Sequence, residues 1–304
     1  MIEKTIDLGG EVVHYVDFEG QGRPIVLVHG LGGSHANWLA VGPRLATQRR
    51  VVAIDLPGFG RSPRSHRGAN LEVMGEVLAQ FIDAISDEPV HLMGNSMGGA
   101  LSILEAAARP QRIKSAVLVC PALPPVAGTK PDPKFLATLM LACLPFGHRL
   151  LGRRAAKAGP RQMVHELMRL CCVDPTRVPA HVVEAHLELA RSRPSRPWAD
   201  RAFAEATRSV FMLLTVGGSF RRAIQSLKVP TLIVHGKLDR LVDVRASRAA
   251  VAMAPQIELA ELSDIGHTPQ MEAPEEFLAL VDRWLARVDP SAEQPIDRAR
   301  GEAS

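Results

Sequence analysis

Five short apolar runs, spread along the chain, constrain the fold of this sequence more than any other feature. They lie at 23–30, 49–60, 88–94, 113–122 and 229–236. Uninterrupted apolar runs of this length are typical of strands that are buried on both faces of a parallel sheet. An alternating segment over 11–18 predicts a half-exposed strand, and the segment 256–262 predicts a last strand.

Helical segments separate these strands near 70–86, 97–108, 244–253 and 274–286. Strands that alternate with helices at this spacing indicate right-handed crossover connections. The sequence therefore predicts an α/β fold with a mostly parallel sheet that is flanked by helices.

The alternation stops between about 124 and 226. Here proline-rich stretches separate helical segments near 134–143, 160–171, 179–191 and 199–216. We predict a sheet-containing core formed by 1–123 and 227–288, with 124–226 as a helical insertion. The segment 289–304 lacks apolar periodicity, which predicts a disordered tail.

Composition narrows the class of protein. The chain has 304 residues, of which 46% are hydrophobic and 22% charged, as in a soluble globular protein. Its amino terminus lacks the basic start and apolar core of a secretory signal, and no run approaches the length of a membrane span, so a cytoplasmic location is expected. Four cysteines without a CxxC pair and eleven histidines without an HExxH pair predict no metal site and no redox site.

Positive charge is concentrated in the middle of the chain. Residues 122–228 hold 17 Lys/Arg and 7 Asp/Glu, a local net charge of +10, whereas the remainder holds 19 and 25, or −6. One interpretation is an anionic substrate or a transient contact with a lipid surface. The other is that scattered arginines solvate the outer faces of the helices. No nucleic-acid partner is predicted, and the oligomeric state stays open.

One serine lies at a turn that suits a nucleophile. Gly94-Asn95-Ser96-Met97-Gly98 matches G-x-S-x-G and connects a predicted buried strand to a predicted helix. A nucleophile at such a turn has unfavourable backbone angles, so its neighbours must be small. The alternative is a glycine-rich connection in which Ser96 has no chemical role.

A serine nucleophile needs a base, and the base needs an acid that orients it. Asp239 follows the run 229–236, and His267 lies in a loop after the last predicted strand, so both lie at carboxyl ends of strands. Asp243 and Asp264 are alternative acids. Asp243 is expected to cap the next helix and Asp264 lies on the histidine's own loop, so we favour Asp239.

The loop after the first buried strand, "HGLGGSHANW", is a candidate part of an oxyanion hole. An oxyanion hole requires two N–H groups. We expect one from Met97, which follows the serine, and the other from Leu31, with Gly32 as the alternative. The loop lacks G-x-G-x-x-G spacing and a Walker lysine, so a nucleotide site is not predicted.

Five motifs occur in the order found in one large family: "VHGLGGSHANW", "DLPGFGRSP", "GNSMGG", "VPTLIVHGKLDRLVD" and "DIGHTPQMEAPEEF". Over nearly its whole length the sequence resembles the α/β-hydrolase family, with the helical insertion in the place of that family's cap. The resemblance implies an eight-stranded sheet, a cap inserted after strand 6, and acyl transfer without a cofactor. In that reaction Ser96 is the nucleophile, His267 the base and Asp239 the orienting acid.

Related families help to define the substrate. Relatives that are haloalkane dehalogenases or epoxide hydrolases use aspartate where this chain has Ser96. "GNSMGG" also resembles the nucleophile region of meta-cleavage C–C hydrolases. Those usually carry tryptophan after the catalytic histidine, where Thr268 stands here, and an SGPG-like loop where this chain has GLGGS.

The insertion is rich in leucine and methionine, which suit a flexible aliphatic chain. The residues expected to contact substrate are Gly32, Leu139, Met140, Phe211 and Thr268. We therefore predict a carboxylesterase or monoacylglycerol-lipase-like enzyme that acts on small-molecule esters of short- to medium-chain acyl groups. A C–C hydrolase and a non-catalytic ligand-binding module are the two alternatives.

Overall fold

A computed structural model describes residues 1–129, 132–216 and 218–290. Its eight strands are β1 (Ile2–Asp7), β2 (Val12–Glu19), β3 (Ile25–Val28), β4 (Val51–Ile54), β5 (Val90–Asn95), β6 (Ile113–Val119), β7 (Thr231–Gly236) and β8 (Ile257–Leu262). They form one sheet in the order β1-β2-β4-β3-β5-β6-β7-β8. The pairs β1–β2 and β2–β4 are antiparallel, and all other pairs are parallel. The predicted mostly parallel, eight-stranded sheet is confirmed.

The described helices are α1 (Gly42–Leu45), α2 (Leu71–Ile85), α3 (Met97–Ala108), α4 (Pro133–Cys143), α5 (Gly147–Cys171), α6 (Ala180–Arg191), α7 (Ala199–Thr215), α8 (Ser219–Gln225), α9 (Val244–Met253), α10 (Pro269–Glu272) and α11 (Pro274–Val288). Helices α4 to α8 lie between β6 and β7 in the chain, at the place where the sequence predicts the insertion. None of these helices is long and apolar enough to cross a membrane.

Alternate residues of the parallel strands pack into two apolar cores that lie on opposite faces of the sheet. Val26 and Val28 face the core that includes α2, α3, α8 and α9. Ile25 and Leu27 face the core that includes α11 and the 3-10 turn His35–Trp38. Because both faces are covered, these strands need apolar residues at every position, as their sequences have.

The structure shortens two predicted strands. The run 49–60 forms a strand only over Val51–Ile54, and the run 23–30 only over Ile25–Val28. The residues beyond each strand form loops: Pro57 follows β4 closely, and Gly58 has a φ of 86°. Apolar composition continued past both strand ends because the loops are buried as well.

The insertion contains more helix than the sequence predicts. Helix α5 begins at Gly147, not near residue 160, and it is broken at Gly159, where φ is 74°. Pro160 begins the second half, and proline suits the first turn of a helix. The short helix α8 was not predicted. Residues 171–182 pack with Met271 in a third, smaller apolar cluster that joins the insertion to the core.

Part of the predicted tail belongs to the fold. Asp289 is buried and accepts hydrogen bonds from Arg23 (Nε, 2.9 Å) and His91 (Nε2, 3.1 Å). It thereby fastens the end of α11 to the sheet. Residues 291–304 lie outside the described part of the chain.

We expect Phe81→Ala to lower the free energy of unfolding by about 3–5 kcal/mol, because it leaves a cavity in a packed core. Phe81 is fully buried on α2 and meets the ring of Tyr15 edge-on at 5.2 Å. Phe211→Ala is the matched control, since Phe211 is 48% exposed. Urea unfolding followed by circular dichroism compares the two, and equal losses would contradict the assignment of the core.

Candidate active site

Ser96 occupies a strained turn between β5, which ends at Asn95, and α3, which begins at Met97. Its φ of 53° and ψ of −115° lie outside the regions that suit a non-glycine residue. Such a backbone costs about 1–3 kcal/mol and persists only where the surroundings fix it. Here the Ser96 N–H donates to the carbonyl of Val119 at 2.9 Å, and the Ser96 carbonyl accepts from Ala122 at 2.9 Å.

Glycines make this turn possible. A Cβ at Gly94 would lie 2.3 Å from the carbonyl oxygen of Gly98, and a Cβ at Gly98 would lie 2.3 Å from that of Val28. No side chain fits at either position, so the strand–turn–helix connection requires both glycines. The small residues that the sequence places around Ser96 are therefore explained by backbone contact.

The early glycine loop lies directly against the serine. A Cβ at Gly30 would come within 3.1 Å of the Cβ of Ser96. Among the described residues, the N–H groups of Leu31 and Met97 have no acceptor, and Met97 begins α3, where helical N–H groups are free. The two N–H groups predicted for the oxyanion hole are thus available beside Ser96.

His29 orients the first of these groups, a role that the sequence analysis did not assign. Its Nδ1 donates to the carbonyl of Gly30 at 2.7 Å, and its Nε2 accepts from the N–H of Leu56 at 3.0 Å. A carbonyl and the N–H of the next residue point in opposite directions from a trans peptide. By holding the Gly30 carbonyl, His29 fixes the direction of the Leu31 N–H. Burial lowers the pKa of His29, which favours this neutral form.

Asp239 and His267 are in direct contact. Nδ1 of His267 lies 2.7 Å from Oδ2 of Asp239, while Oδ1 accepts from the N–H groups of Leu241 at 2.8 Å and Val242 at 3.0 Å. The carboxylate accepts, so Nδ1 carries the proton and Nε2 is left to act as a base. The structure brings together the acid and the base that the sequence predicts.

A second histidine, His235, also contacts the acid. Its Nε2 lies 3.2 Å from Oδ2 of Asp239 and 2.9 Å from the carbonyl of Val242, which can only accept, so Nε2 carries a proton. Burial by itself would raise the pKa of Asp239, but the charge of His267 and the hydrogen bonds from both histidines outweigh it. The pKa of Asp239 is therefore held far below its usual range.

The alternative acids are engaged elsewhere. Asp243 caps α9 by accepting from the N–H of Arg245 at 2.9 Å, as the sequence predicts. Asp264 is exposed to solvent, and its backbone carbonyl accepts a hydrogen bond from Arg177 at 3.2 Å.

Asn95 connects the serine turn to the histidine loop. Its side-chain amide donates to the carbonyl of Val119 at 3.0 Å and to the carbonyl of His267 at 3.1 Å. Among the described residues the Ser96 hydroxyl makes no hydrogen bond, so Ser96 and His267 are connected in this structure only through the side chain of the adjacent Asn95. Catalytic hydrogen bonds commonly tighten only when substrate is bound.

Glu272 joins the histidine loop to the insertion. Its buried carboxylate accepts from Gly266 at 2.9 Å and, through the other oxygen, from Val173 and Asp174 at 2.8 Å each. The N–H of His267 donates to the carbonyl of Cys171 at 2.6 Å. Four hydrogen bonds thus tie the end of α5 to the loop that carries the base.

The five residues expected to contact substrate differ in how far they are exposed to solvent. Gly32 is exposed beside the ring of Phe203, and Leu139 is half-buried. Met140 is 64% and Phe211 48% exposed, so large parts of both side chains are open to solvent. Thr268 is buried, and its hydroxyl lies 3.5 Å from the thiol of Cys172. Substrate contact by these five residues stays a prediction.

Two groups of side chains bring possible metal ligands within 4.8 Å of one another: His14, His35 and Asp55, and Cys120, His235 and Asp239. Asp55 already accepts from the ring of His14 at 2.8 Å and from the backbone of His35 at 2.7 Å. Asp239 is held by the two histidines described above. Each carboxylate is thus balanced by hydrogen bonds from this chain's own residues.

Comparison with known proteins agrees with this geometry. A family model described as alpha/beta hydrolase fold matches residues 23–274. The dihydrolipoyllysine-residue acetyltransferase component of the acetoin cleaving system of Pseudomonas putida is 31% identical over 89% of this chain, which spans 65% of that protein's length. The 2-hydroxy-6-oxo-2,4-heptadienoate hydrolase of Pseudomonas putida is 30% identical, with 89% of this chain and 91% of that protein covered.

Two further similarities extend the range of relatives. Monoacylglycerol lipase ABHD6 of Homo sapiens is 26% identical, with 94% of this chain and 84% of that protein covered. The structure of 2-hydroxy-6-oxo-6-phenylhexa-2,4-dienoate hydrolase from Rhodococcus sp. strain RHA1 matches with a TM-score of 0.76 at 23% identity, covering 93% of this chain and 98% of that one. The chain belongs to the alpha/beta hydrolase fold family.

Proposed function

We propose that this protein is a serine hydrolase that cleaves carboxylic esters of short- to medium-chain acyl groups through an acyl-enzyme on Ser96. The observation that carries the proposal is the 2.7 Å contact between His267 and Asp239 at the edge of the sheet where Ser96 sits in its strained turn. A serine, a base and a buried acid in this order are the parts that nucleophilic acyl transfer requires.

The reaction follows from the positions of these groups. Nε2 of His267 takes the proton of the Ser96 hydroxyl as its oxygen attacks the ester carbonyl. The N–H groups of Leu31 and Met97 donate to the resulting oxyanion. His267 then gives its proton to the leaving alcohol, and the acyl group stays on Ser96. A water molecule that loses a proton to His267 attacks the acyl-enzyme. The bond to Ser96 then breaks as His267 gives that proton to the Ser96 oxygen, and the carboxylic acid leaves.

Asp239 makes each proton transfer easier. It holds His267 in the tautomer whose Nε2 faces the reaction, and its negative charge stabilises the imidazolium that forms in each half of the cycle. Since its pKa is lowered far below its usual range, it stays ionised wherever the enzyme works.

The acyl specificity is supported by the composition of the insertion and by one relative. Leu139 and its apolar neighbours on α4 suit an aliphatic chain, and monoacylglycerol lipase ABHD6 is similar over 94% of this chain. A second candidate is C–C bond hydrolysis of a meta-cleavage product, because a 2-hydroxy-6-oxo-2,4-heptadienoate hydrolase is 30% identical. A non-catalytic ligand-binding module is the third, and the next prediction tests it.

Ser96→Ala is expected to lower the rate of ester hydrolysis by roughly four to six orders of magnitude, because no nucleophile remains. Ser102→Ala is the matched control: Ser102 lies on α3, which begins directly after Ser96, and its hydroxyl donates to the carbonyl of Gly98 at 2.8 Å. Hydrolysis of p-nitrophenyl butyrate and thermal unfolding are measured for both variants. A loss below tenfold in Ser96→Ala would contradict the assigned nucleophile, and an inactive wild type would favour the binding module.

Substrate profiling separates the two hydrolase candidates. Esters with acyl chains from C2 to C16 and a meta-cleavage dienoate are supplied to the same preparation, and kcat/KM is compared. We expect the highest kcat/KM on esters of C4 to C10, because a flexible apolar lining favours aliphatic chains of that size. Turnover of the dienoate without turnover of any ester would overturn the ester proposal and favour the C–C hydrolase.

Glu272→Gln is expected to lower kcat by about tenfold to hundredfold with little change in KM, because a misplaced base costs rate more than binding. Glu272 now accepts hydrogen bonds from three backbone N–H groups. Glutamine has an NH2 group in place of one carboxylate oxygen, so it would direct a donor at one of these N–H groups. Glu276→Gln, an exposed carboxylate on α11, is the control. The rate at which a fluorophosphonate labels Ser96 should fall with kcat. A lower melting temperature with unchanged kcat would reduce Glu272 to a purely structural role.

A further inference from the structure

The insertion presents a group of large apolar side chains to solvent. We call it the insertion patch, and its members are Leu136, Met140, Leu144, Phe146, Leu150, Phe211, Met212 and Val216. Their exposed fractions range from 43% to 64%. Soluble proteins rarely expose so many large apolar residues in one region unless something covers them.

The members of the patch share faces of adjacent helices. Leu136 and Met140 are four residues apart and lie along one face of α4, and Leu144 follows directly after the last residue of that helix. Phe146 and Leu150 have the same spacing at the start of α5. Helix α4 packs against α5 and against α7, which carries the remaining members at its end.

Helix α4 lies almost entirely outside the core. Ala142 is the one residue of α4 that is buried, among eleven that are mostly apolar. A helix that packs through a single alanine and a few half-buried side chains keeps its apolar surface facing outward. The exposed apolar surface therefore extends along the whole of α4 and is not limited to one or two residues.

Along α4 and the first half of α5 the chain carries basic but no acidic side chains, and the nearby Asp200 of α7, which lies against Gly152, is paired with Arg193. Between Asp132 and Glu166 the chain has no Asp or Glu but six Lys or Arg: Lys134, Arg149, Arg153, Arg154, Lys157 and Arg161. None of the six forms an ion pair with the residues that the structure describes. Of the flanking acids, Asp132 caps α4 and Glu166 accepts from Gln162.

The charges lie beside the apolar residues on the same helix. Arg149, Arg153 and Lys157 are spaced by four, and their row runs next to Phe146 and Leu150. The guanidinium of Arg149 lies 5.0 Å from the centre of the Phe146 ring. Exposed aromatic and aliphatic residues with an adjacent basic row are the features of helices that lie in a membrane interface.

We propose that the insertion patch docks on the surface of a lipid bilayer that contains anionic headgroups. The apolar side chains enter the boundary between headgroups and acyl chains, and the basic row contacts the phosphates. A second copy of this chain is a poorer occupant, because its patch brings the same unpaired positive charges. The proposal concerns binding, so it holds or fails independently of the reaction at Ser96.

Vesicle sedimentation tests it with the full chain. Vesicles of phosphatidylcholine alone are compared with vesicles of equal parts phosphatidylcholine and phosphatidylglycerol, at low salt and at high salt. We expect sedimentation with the mixed vesicles that weakens at high salt, and little with the neutral ones. The Ser96→Ala protein should sediment equally, which separates docking from any hydrolysis of lipid.

Two double variants measure separately how much the apolar and the charged side chains contribute to vesicle binding. Leu144→Ser/Phe146→Asn should weaken binding to mixed vesicles by about tenfold, because two apolar side chains no longer enter the interface. Arg153→Gln/Lys157→Gln should weaken it by about tenfold to thirtyfold and reduce the salt dependence of binding, because two of the six basic side chains lose their charge. Val12→Ser and Arg44→Gln/Arg283→Gln are the matched controls, since these exposed residues lie on β2, α1 and α11, outside the insertion.

The proposal is overturned if the wild type sediments equally with and without vesicles. It is also overturned if the two double variants bind like their controls. Analytical ultracentrifugation adds a third outcome: a dimer that Leu144→Ser/Phe146→Asn dissociates would assign the patch to contact between two copies and contradict a membrane partner.

Discussion

The backbones of β3, β5 and α3 approach so closely that only glycine fits between them, and the candidate site depends on this approach. Gly98 touches the carbonyl of Val28 on β3, while Gly94 touches the carbonyl of Gly98. The same approach forces Ser96 into a φ of 53° and places Gly30 against it. A side chain at Gly94 or Gly98 would push the helix away from the sheet, and the N–H groups at Leu31 and Met97 would no longer point to one place.

Hydrogen bonds from buried polar side chains then fix the orientation of the backbone and side-chain groups at the site, which the close approach at the glycines brings near one another. His29 sets the direction of the Leu31 peptide, Asn95 holds the carbonyl of His267, and His235 gives Asp239 a second partner. Each donor lies on or next to a parallel strand at its carboxyl end. Because the sheet fixes these ends relative to one another, residues that are far apart in sequence meet with separations that a flexible loop could not maintain.

The parts of the site that sequence predicted are those set by local pattern. Ser96, Asp239 and His267 each follow an apolar run, and the end of such a run can be seen without a structure. His29, Asn95 and Glu272 could not be assigned in this way, because their partners lie on other elements and any polar residue at those positions would look similar. For the same reason the buried Asp289 was predicted to belong to a disordered tail, since its partners His91 and Arg23 are remote in sequence. The extent of α5 was missed because Gly159-Pro160 resembles a helix end, whereas the chain bends there and continues as helix.

The insertion has one face that packs against the core and one that is exposed, and this difference explains its mixed composition. Its inner face, around Cys171 and Val173, is bonded to the loop of His267 through backbone groups, so the side chains there are free to be apolar and packed. Its outer face carries Met140 and Phe146, which gain nothing from the core. Apolar content alone could not distinguish the two faces, so the sequence did not indicate that Met140 and Phe211 are more exposed than Leu139. Helix α5 serves both faces, because its outer residues lie at its start and its bonded ones at its end, with the break at Gly159 between them.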